Sequence, residues 1–275
     1  MLSRRDLLRA SAAFGAAALT PRAGWALDGG DPAYAGFKMG LQTYSLRAFD
    51  LDKTLATLKD LGLKYAQFYR GGQMIVTDDA ASIEGWKKKL AEAGVKMLSF
   101  GVERFTKDHA ENRKRFEFAK AMGFPVLVAA PSPDSFESLD ALTKEYGIKI
   151  AIHNHGPEDK TWGKLEQLQK GLEKWPEAIG VCVDTGHTLR IGEDPVHWIK
   201  ALGPRVHDCH LKDASAPKVF NILGQGKLDL VGTLKALKEV KFDGILALEY
   251  ELNEKNPVDD IRKCLEAARE ACTKL

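Results

Sequence analysis

Cysteine is scarce in this chain. Cys182, Cys209, Cys264 and Cys272 are all it has in 275 residues, too few and too unevenly spaced for a disulfide scaffold. No Cys-x-x-Cys pair occurs, which removes the zinc-ribbon spacings. Cys264 and Cys272 are eight apart on an expected helix, about 12 Å and beyond disulfide reach. Cys182 and Cys209 fall on opposite faces of adjacent expected strands. An excess of charge of one sign is also missing, because 40 Lys and Arg meet 38 Asp and Glu. The chain therefore has no electrostatic footprint for a nucleic-acid backbone. The mild apolar run from Ala10 to Leu19 is too short for a bilayer, which takes about 20 residues, so stable membrane insertion is not expected. What remains is 44% hydrophobic and 28% charged residues, enough apolar surface to offset the ordering entropy of a folded globule.

Residues 1–26 read as an address rather than as fold. Ser3-Arg4-Arg5-Asp6-Leu7-Leu8 carries twin arginines, the apolar run follows, and Arg22 precedes the small-x-small signal Gly24-Trp25-Ala26. Together these predict a twin-arginine export signal and a periplasmic or otherwise extracytoplasmic protein. Removing its Arg4, Arg5, Arg9, Arg22 and Asp6 leaves 36 bases and 37 acids, a net charge of −1.

From 27 to 275 the chain alternates strand and helix signals. Short β-rich runs are Met39–Tyr44, Tyr65–Tyr69, Met97–Val102, Val126–Ala130, Ile148–His153, Gly180–Asp184, Val206–Leu211 and Ile245–Tyr250. Between them apolar residues recur at three and four, as in Leu51, Leu55, Leu58, Leu61 and in Ile83, Trp86, Leu90, Ala93, the spacing of amphipathic helices. Gly62, Gly94, Gly123 and Gly147 follow helical stretches and predict C-caps. Nearly continuous apolar strands suit a parallel sheet buried on both faces. Eight strand–helix pairs in about 240 residues predict a single-domain (β/α)8 TIM barrel. A doubly wound open sheet is the runner-up. It carries a glycine-rich loop after its first strand, where this chain has Gln42-Thr43-Tyr44-Ser45-Leu46-Arg47.

In such a barrel the chemistry sits at the C-terminal strand ends. Four consecutive strands end in residues able to bind metal: His153-Asn154-His155-Gly156, Asp184-Thr185-Gly186-His187, His210-Leu211-Lys212-Asp213 and Leu248-Glu249-Tyr250-Glu251. Converging His, Asp and Glu without thiolates predict a nitrogen-and-oxygen site for one divalent cation. Trp162 and Trp198 are expected to pack rather than to platform a sugar.

These four motifs, with Gly40-Leu41-Gln42-Thr43-Tyr44-Ser45-Leu46-Arg47 at the first strand, resemble the xylose-isomerase-like TIM barrels. That is the sugar phosphate isomerase/epimerase superfamily, which includes inosose dehydratases and zinc AP endonucleases. The resemblance runs from about residue 38 to 270. It implies that His153, Asp184, His210 and Glu249 hold the metal, with Mn2+ the first choice and Zn2+, Co2+, Fe2+ or Ni2+ also compatible. Many epimerases of the family have glutamate where this chain has His153, and many members have glutamate where it has Gln67.

The implied activity is that of a metal-dependent isomerase or epimerase on a small keto-sugar through an enediolate. The alternative is a lyase or hydratase on a 3-keto-sugar or 3-keto-glycoside, which His153 and an export signal both favour. A non-catalytic sugar-binding module is the reading from another class. Glu249 is expected to be ligand and base, His187 acid or base, Lys212 a stabiliser of the enediolate oxygen, and His155 a contact to metal or substrate. Gln67, Glu103 and Asn154 are expected to bind substrate, and Arg47, Arg70 and Lys212 are the candidates for a phosphate. Gly224-Gln225-Gly226 is expected to close near the mouth. The partners are a small carbohydrate and, for an oligomer, further copies of the chain.

Overall fold

Eight parallel strands pair edge to edge until the last meets the first. They are β1 (Lys38–Gln42), β2 (Tyr65–Phe68), β3 (Lys96–Phe105), β4 (Val126–Pro131), β5 (Lys149–His153), β6 (Ile179–Asp184), β7 (Val206–Leu211) and β10 (Ile245–Leu248). The ring order β1-β10-β7-β6-β5-β4-β3-β2 closes a barrel. The computed structural model describes residues 29–72 and 77–275. The expected export signal, residues 1–26, lies outside the described residues.

Each expected strand is present within a few residues. β3 continues past its expected end to Phe105, with its register against β4 shifting between Phe100 and Glu103. Gly101 lies in that shift. A Cβ there would stand 2.2 Å from the Val128 carbonyl oxygen, so only glycine lets the two backbones approach this closely.

Helices α1 (Leu51–Asp60), α2 (Ala80–Ala93), α3 (His109–Met122), α4 (Phe136–Tyr146) and α5 (Leu165–Leu172) follow the first five strands. Aspartates start several of them: Asp50 accepts the Lys53 N–H and Asp79 the Ser82 N–H, satisfying donors that a helix start leaves unpaired. Gly94, Gly123 and Gly147 close α2, α3 and α4 in the left-handed region, at φ 67, 88 and 67°. Gly62 instead sits one residue beyond the cap of α1, which is Leu61. Two helices follow β6, namely α6 (Thr185–Arg190) and α7 (Pro195–Leu202), and α8 (Leu230–Glu239) and α9 (Val258–Cys272) complete the ring.

The outward strand faces and inward helix faces form the main core, in which Leu41, Leu58, Ile152, Trp198 and Leu234 are fully buried. Trp162 packs on Phe136, as expected of a core tryptophan. The four cysteines are buried and free. Two small apolar groups form separately from that core: Val126, Val128, Ala151 and Cys182, and Tyr65, Ile245 and Ala247. By strand alternation these residues fill the barrel bore.

One element was not foreseen. After β7 the chain forms an antiparallel hairpin of β8 (Asp213–Ala216) and β9 (Val219–Asn221). The Asp213 carboxylate accepts the N–H groups of Gly224, Gly226 and Leu228. It thereby fixes the Gly224–Gly226 loop to the residue after Lys212, and Phe220 of the hairpin lines the pocket.

Candidate metal centre

The C-terminal ends of β5, β6, β7 and β10 bring His153, Asp184, His210 and Glu249 together, with one donor atom from each lying within 4.8 Å of the others. His153 Nε2 is 3.0 Å from His210 Nδ1 and 3.5 Å from Asp184 Oδ2. His210 Nδ1 is 3.6 Å from Asp184 Oδ2 and 3.3 Å from Glu249 Oε2. Donors that share one zinc-like ion at about 2.0–2.2 Å are separated by roughly 3.0–3.5 Å in tetrahedral or octahedral arrangements. Asp184 Oδ2 and Glu249 Oε2 are buried and accept no well-directed hydrogen bond. The donor set and its open lone pairs therefore fit a divalent cation.

Local sequence aims each donor. Asp184 is the N-cap of α6, and its Oδ1 accepts the His187 N–H at 2.7 Å, which leaves Oδ2 to face the site. Asn154 clamps the same backbone, accepting the Asp184 N–H at 2.8 Å. Thr185 Oγ1 accepts the Lys212 N–H at 2.9 Å and joins β6 to the end of β7.

His210 is set from behind. The Gln67 amide nitrogen donates to Ser99 Oγ and Asp208 Oδ2, both at 2.9 Å. Its oxygen must then be the acceptor for Gln42 Nε2 and for His210 Nε2, the latter at 2.7 Å. Gln42 is oriented in turn by the Tyr44 N–H on its Oε1. With one hydrogen fixed on Nε2, His210 presents Nδ1 to the cluster; the surrounding acids hold the imidazole well above its usual range against burial, so a bound cation would take the place of the Nδ1 proton. Burial pushes the Asp208 carboxyl up to about 6.

Lys212 is the cluster's fixed cation. Its Nζ lies 3.1 Å from Asp184 Oδ2 and 2.6 Å from Glu249 Oε2, and it also pairs with Glu251. Gly186 makes room, since a Cβ there would stand 2.6 Å from the lysine stem. Burial opposes the ammonium, but the three carboxylates hold its pKa above the usual lysine range. Burial likewise opposes charge on Glu249, yet Lys212 and His210 hold it well below the usual carboxylate range.

The pocket above this floor has a volume of about 390 Å³ and is walled by Tyr44, Tyr69, His155, His187, Arg190, Phe220 and Glu251, among others. His155 and Glu158 also border an adjoining cleft with Arg104, Thr106 and Trp162. His187 is held neutral, because burial pushes its imidazole down to about 4.

Three residues expected to touch substrate do not reach the pocket wall. Gln67 is fully buried beneath His210. Asn154 is fully buried and bonded to the Asp184 backbone and Thr188. Glu103 pairs with Arg70 and Arg115 at the rim of β3. Arg47 and Arg70 are likewise engaged, with Glu254 and with Asp78 and Glu103. Gln42 was passed over, as were Asp208, Glu251 and Arg190, although each of these three has a signal. Asp208 stands two residues before His210, hence on the same face of β7, and Glu251 stands two after Glu249, just past the end of β10. Arg190 stands three after His187, a neighbouring helical position. Phe220 carries no such signal.

Residues 55–271 match the xylose isomerase-like TIM barrel family, and the chain belongs to it. An inosose dehydratase of Clostridium perfringens (strain 13 / Type A) is 25% identical over 221 residues, covering 62% of this chain and 74% of the relative. The crystal structure of a protein from Parabacteroides distasonis ATCC 8503 is 27% identical with a TM-score of 0.67, covering 84% and 97% of the two chains. A structure described as the IOLI protein with a binding zinc atom shares the fold at a TM-score of 0.69 and 17% identity, covering 86% of this chain and 99% of its own.

Proposed function

We propose that this protein is a metal-dependent lyase or dehydratase acting on a keto-sugar or keto-glycoside. The observation that carries this reading is the asymmetry of the pocket. Glu249 stands on one side, and the wall around it supplies His155, His187 and Lys212. Glu158 and Glu251 are engaged by Arg190 and Lys212. Many epimerases of the family work the two faces of the sugar with a second glutamate opposite the first, where this chain has His153. The relatives named inosose dehydratase support the same choice at the level of reaction class.

A divalent ion on His153, Asp184, His210 and Glu249 would polarise a substrate carbonyl and acidify the adjacent C–H. The carboxylate of Glu249 takes that proton. Lys212 stays cationic and steadies the oxygen of the enediolate. Neutral His187 hydrogen-bonds the departing oxygen on the β-carbon, the proton that Glu249 has taken passes to that oxygen, and loss of water or an alcohol completes the elimination. The adjoining cleft past His155 leaves space for a substituent on the sugar. With residues 1–26 read as an export address, the substrate is an unphosphorylated sugar met outside the cytoplasm. Replacing Arg4 and Arg5 by lysine should then retain the protein in the cytoplasmic fraction.

The test is incubation of metal-loaded protein in D2O with ketoses, inososes and 3-keto-glycosides, followed by NMR. A vinylic product with release of water or an aglycone is the expected result. Deuterium beside the carbonyl with every substituent retained would replace this reading by an isomerase or epimerase.

A further inference from the structure

One charged group on the pocket wall touches neither the metal cluster nor Lys212. Arg190, at the end of α6, reaches back over the pocket. Its Nη1 lies 2.8 Å from His187 Nδ1 and 3.1 Å from Glu158 Oε1, its Nη2 3.2 Å from Glu158 Oε2, and its Nε donates to the Pro217 carbonyl at 2.6 Å. The guanidinium thus ties the loop after β5, the turn of the hairpin and α6 to one another. Phe220 lies 5.3 Å beneath its Cζ and 5.6 Å from the His187 ring. Gly156 keeps the space open, because a Cβ there would stand 2.5 Å from Arg190 Nη1.

A guanidinium has donors only. The ring nitrogen it faces must therefore accept. We infer that Arg190 is a positioning residue that locks His187 in the Nε2–H tautomer, so that His187 meets the substrate as a hydrogen-bond donor and not as a base. The opposite ring nitrogen supports this, since His187 Nε2 is turned toward the metal cluster, 3.9 Å from Asp184 Oδ2. A base at this position would need its lone pair on that side, which would set the Nδ1 hydrogen against the guanidinium. This inference holds whichever reaction the pocket carries out, because it concerns one imidazole and its neighbour.

The tautomer is read directly by two-bond 1H–15N correlation on histidine-labelled protein with Zn2+ added at neutral pH, His187 being assigned by its loss in His187→Asn. The expected result is an unprotonated Nδ1 and a protonated Nε2. Arg190→Met should shift both nitrogens toward averaged values, and Arg190→Lys, which keeps a donor, should restore the original pattern. Gly156→Ala, which displaces the guanidinium without changing it, should act like Arg190→Met. A protonated Nδ1 in the unaltered protein would overturn the proposal. So would an unchanged His187 pattern in a folded Arg190→Met protein.

Discussion

The two halves of the barrel mouth differ in kind. β5, β6, β7 and β10 end in His153, Asp184, His210 and Glu249, a charged and metal-competent set. β1, β2 and β3 offer Gln42, Gln67 and Ser99, neutral groups whose hydrogen bonds run inward to Asp208 and His210. One half presents donors for a cation, and the other holds one of those donors in a single orientation. A buried neutral amide suits this task, because it has both a donor and an acceptor end and adds no charge to a site already holding two carboxylates. Gln67 in place of a glutamate thus has a physical sense here. A carboxylate at that position would face Asp208 at hydrogen-bond distance, and two buried acids would share one proton.

The largest effect should come from the charged half. Asp184→Ala or Glu249→Ala is expected to abolish metal retention after dialysis, read by elemental analysis, together with turnover. Asp184→Ala also removes one of the three carboxylates around the buried Lys212 ammonium, and should lower the urea midpoint less than loss of a sole partner would. A variant that stays loaded and active would erase the distinction between the halves.

A second contrast lies along β7 itself. His210 at its upper end sits among carboxylates, whereas His207 at its lower end is buried against the Glu177 carbonyl. Burial pushes the His207 imidazole down to about 4, below its unfolded value of about 6.5. The unfolded chain therefore binds the extra proton first. The stability from neutral His207, about 3 kcal/mol at most, is present above pH ~6.5 and is lost as pH falls toward 4. His207→Gln should flatten the fall in urea midpoint between pH 7 and 4.5 by that contribution. An unchanged slope would remove His207 from the account.

The neutral half should show a smaller, graded effect. Gln67→Met frees His210 to rotate and should weaken metal affinity by about 10–100-fold, the range seen when a partner behind a ligand is lost. The smallest effect belongs to Glu103. Glu103→Gln should leave metal content unchanged and cost about 1 kcal/mol through its pairs with Arg70 and Arg115. A large loss of activity there would return Glu103 to the site.

These contrasts also mark what could be read before the fold was known. The strands and most helices were legible because parallel strands are continuous apolar runs and the helices keep a regular apolar stripe. The cluster of His153, Asp184, His210 and Glu249 was legible because four strand ends in sequence carried His, Asp or Glu. Residues one layer down were not, since a glutamine or an asparagine looks the same whether it faces a sugar or a histidine. Gln67 and Asn154 were misplaced for that reason, and only their partners separate the two roles. Glu103 was misplaced because β3 runs on past its apolar core, carrying the acid to Arg70 and Arg115. The hairpin escaped notice because Asp213 organises it through backbone N–H groups, which leave little trace in side-chain pattern. Arg190 was within reach of helical spacing, but its partners Glu158 and Pro217 lie about 30 residues away on either side.

The central claim is that His153, Asp184, His210 and Glu249 hold one divalent ion. Anomalous diffraction from crystals grown with Zn2+ or Mn2+ tests it most directly. The account predicts a single peak in the barrel mouth, bonded to His153 Nε2, Asp184 Oδ2, His210 Nδ1 and Glu249 Oε2. A peak bonded to the Cys182 thiol instead, or no peak in the mouth at saturating metal, would contradict it.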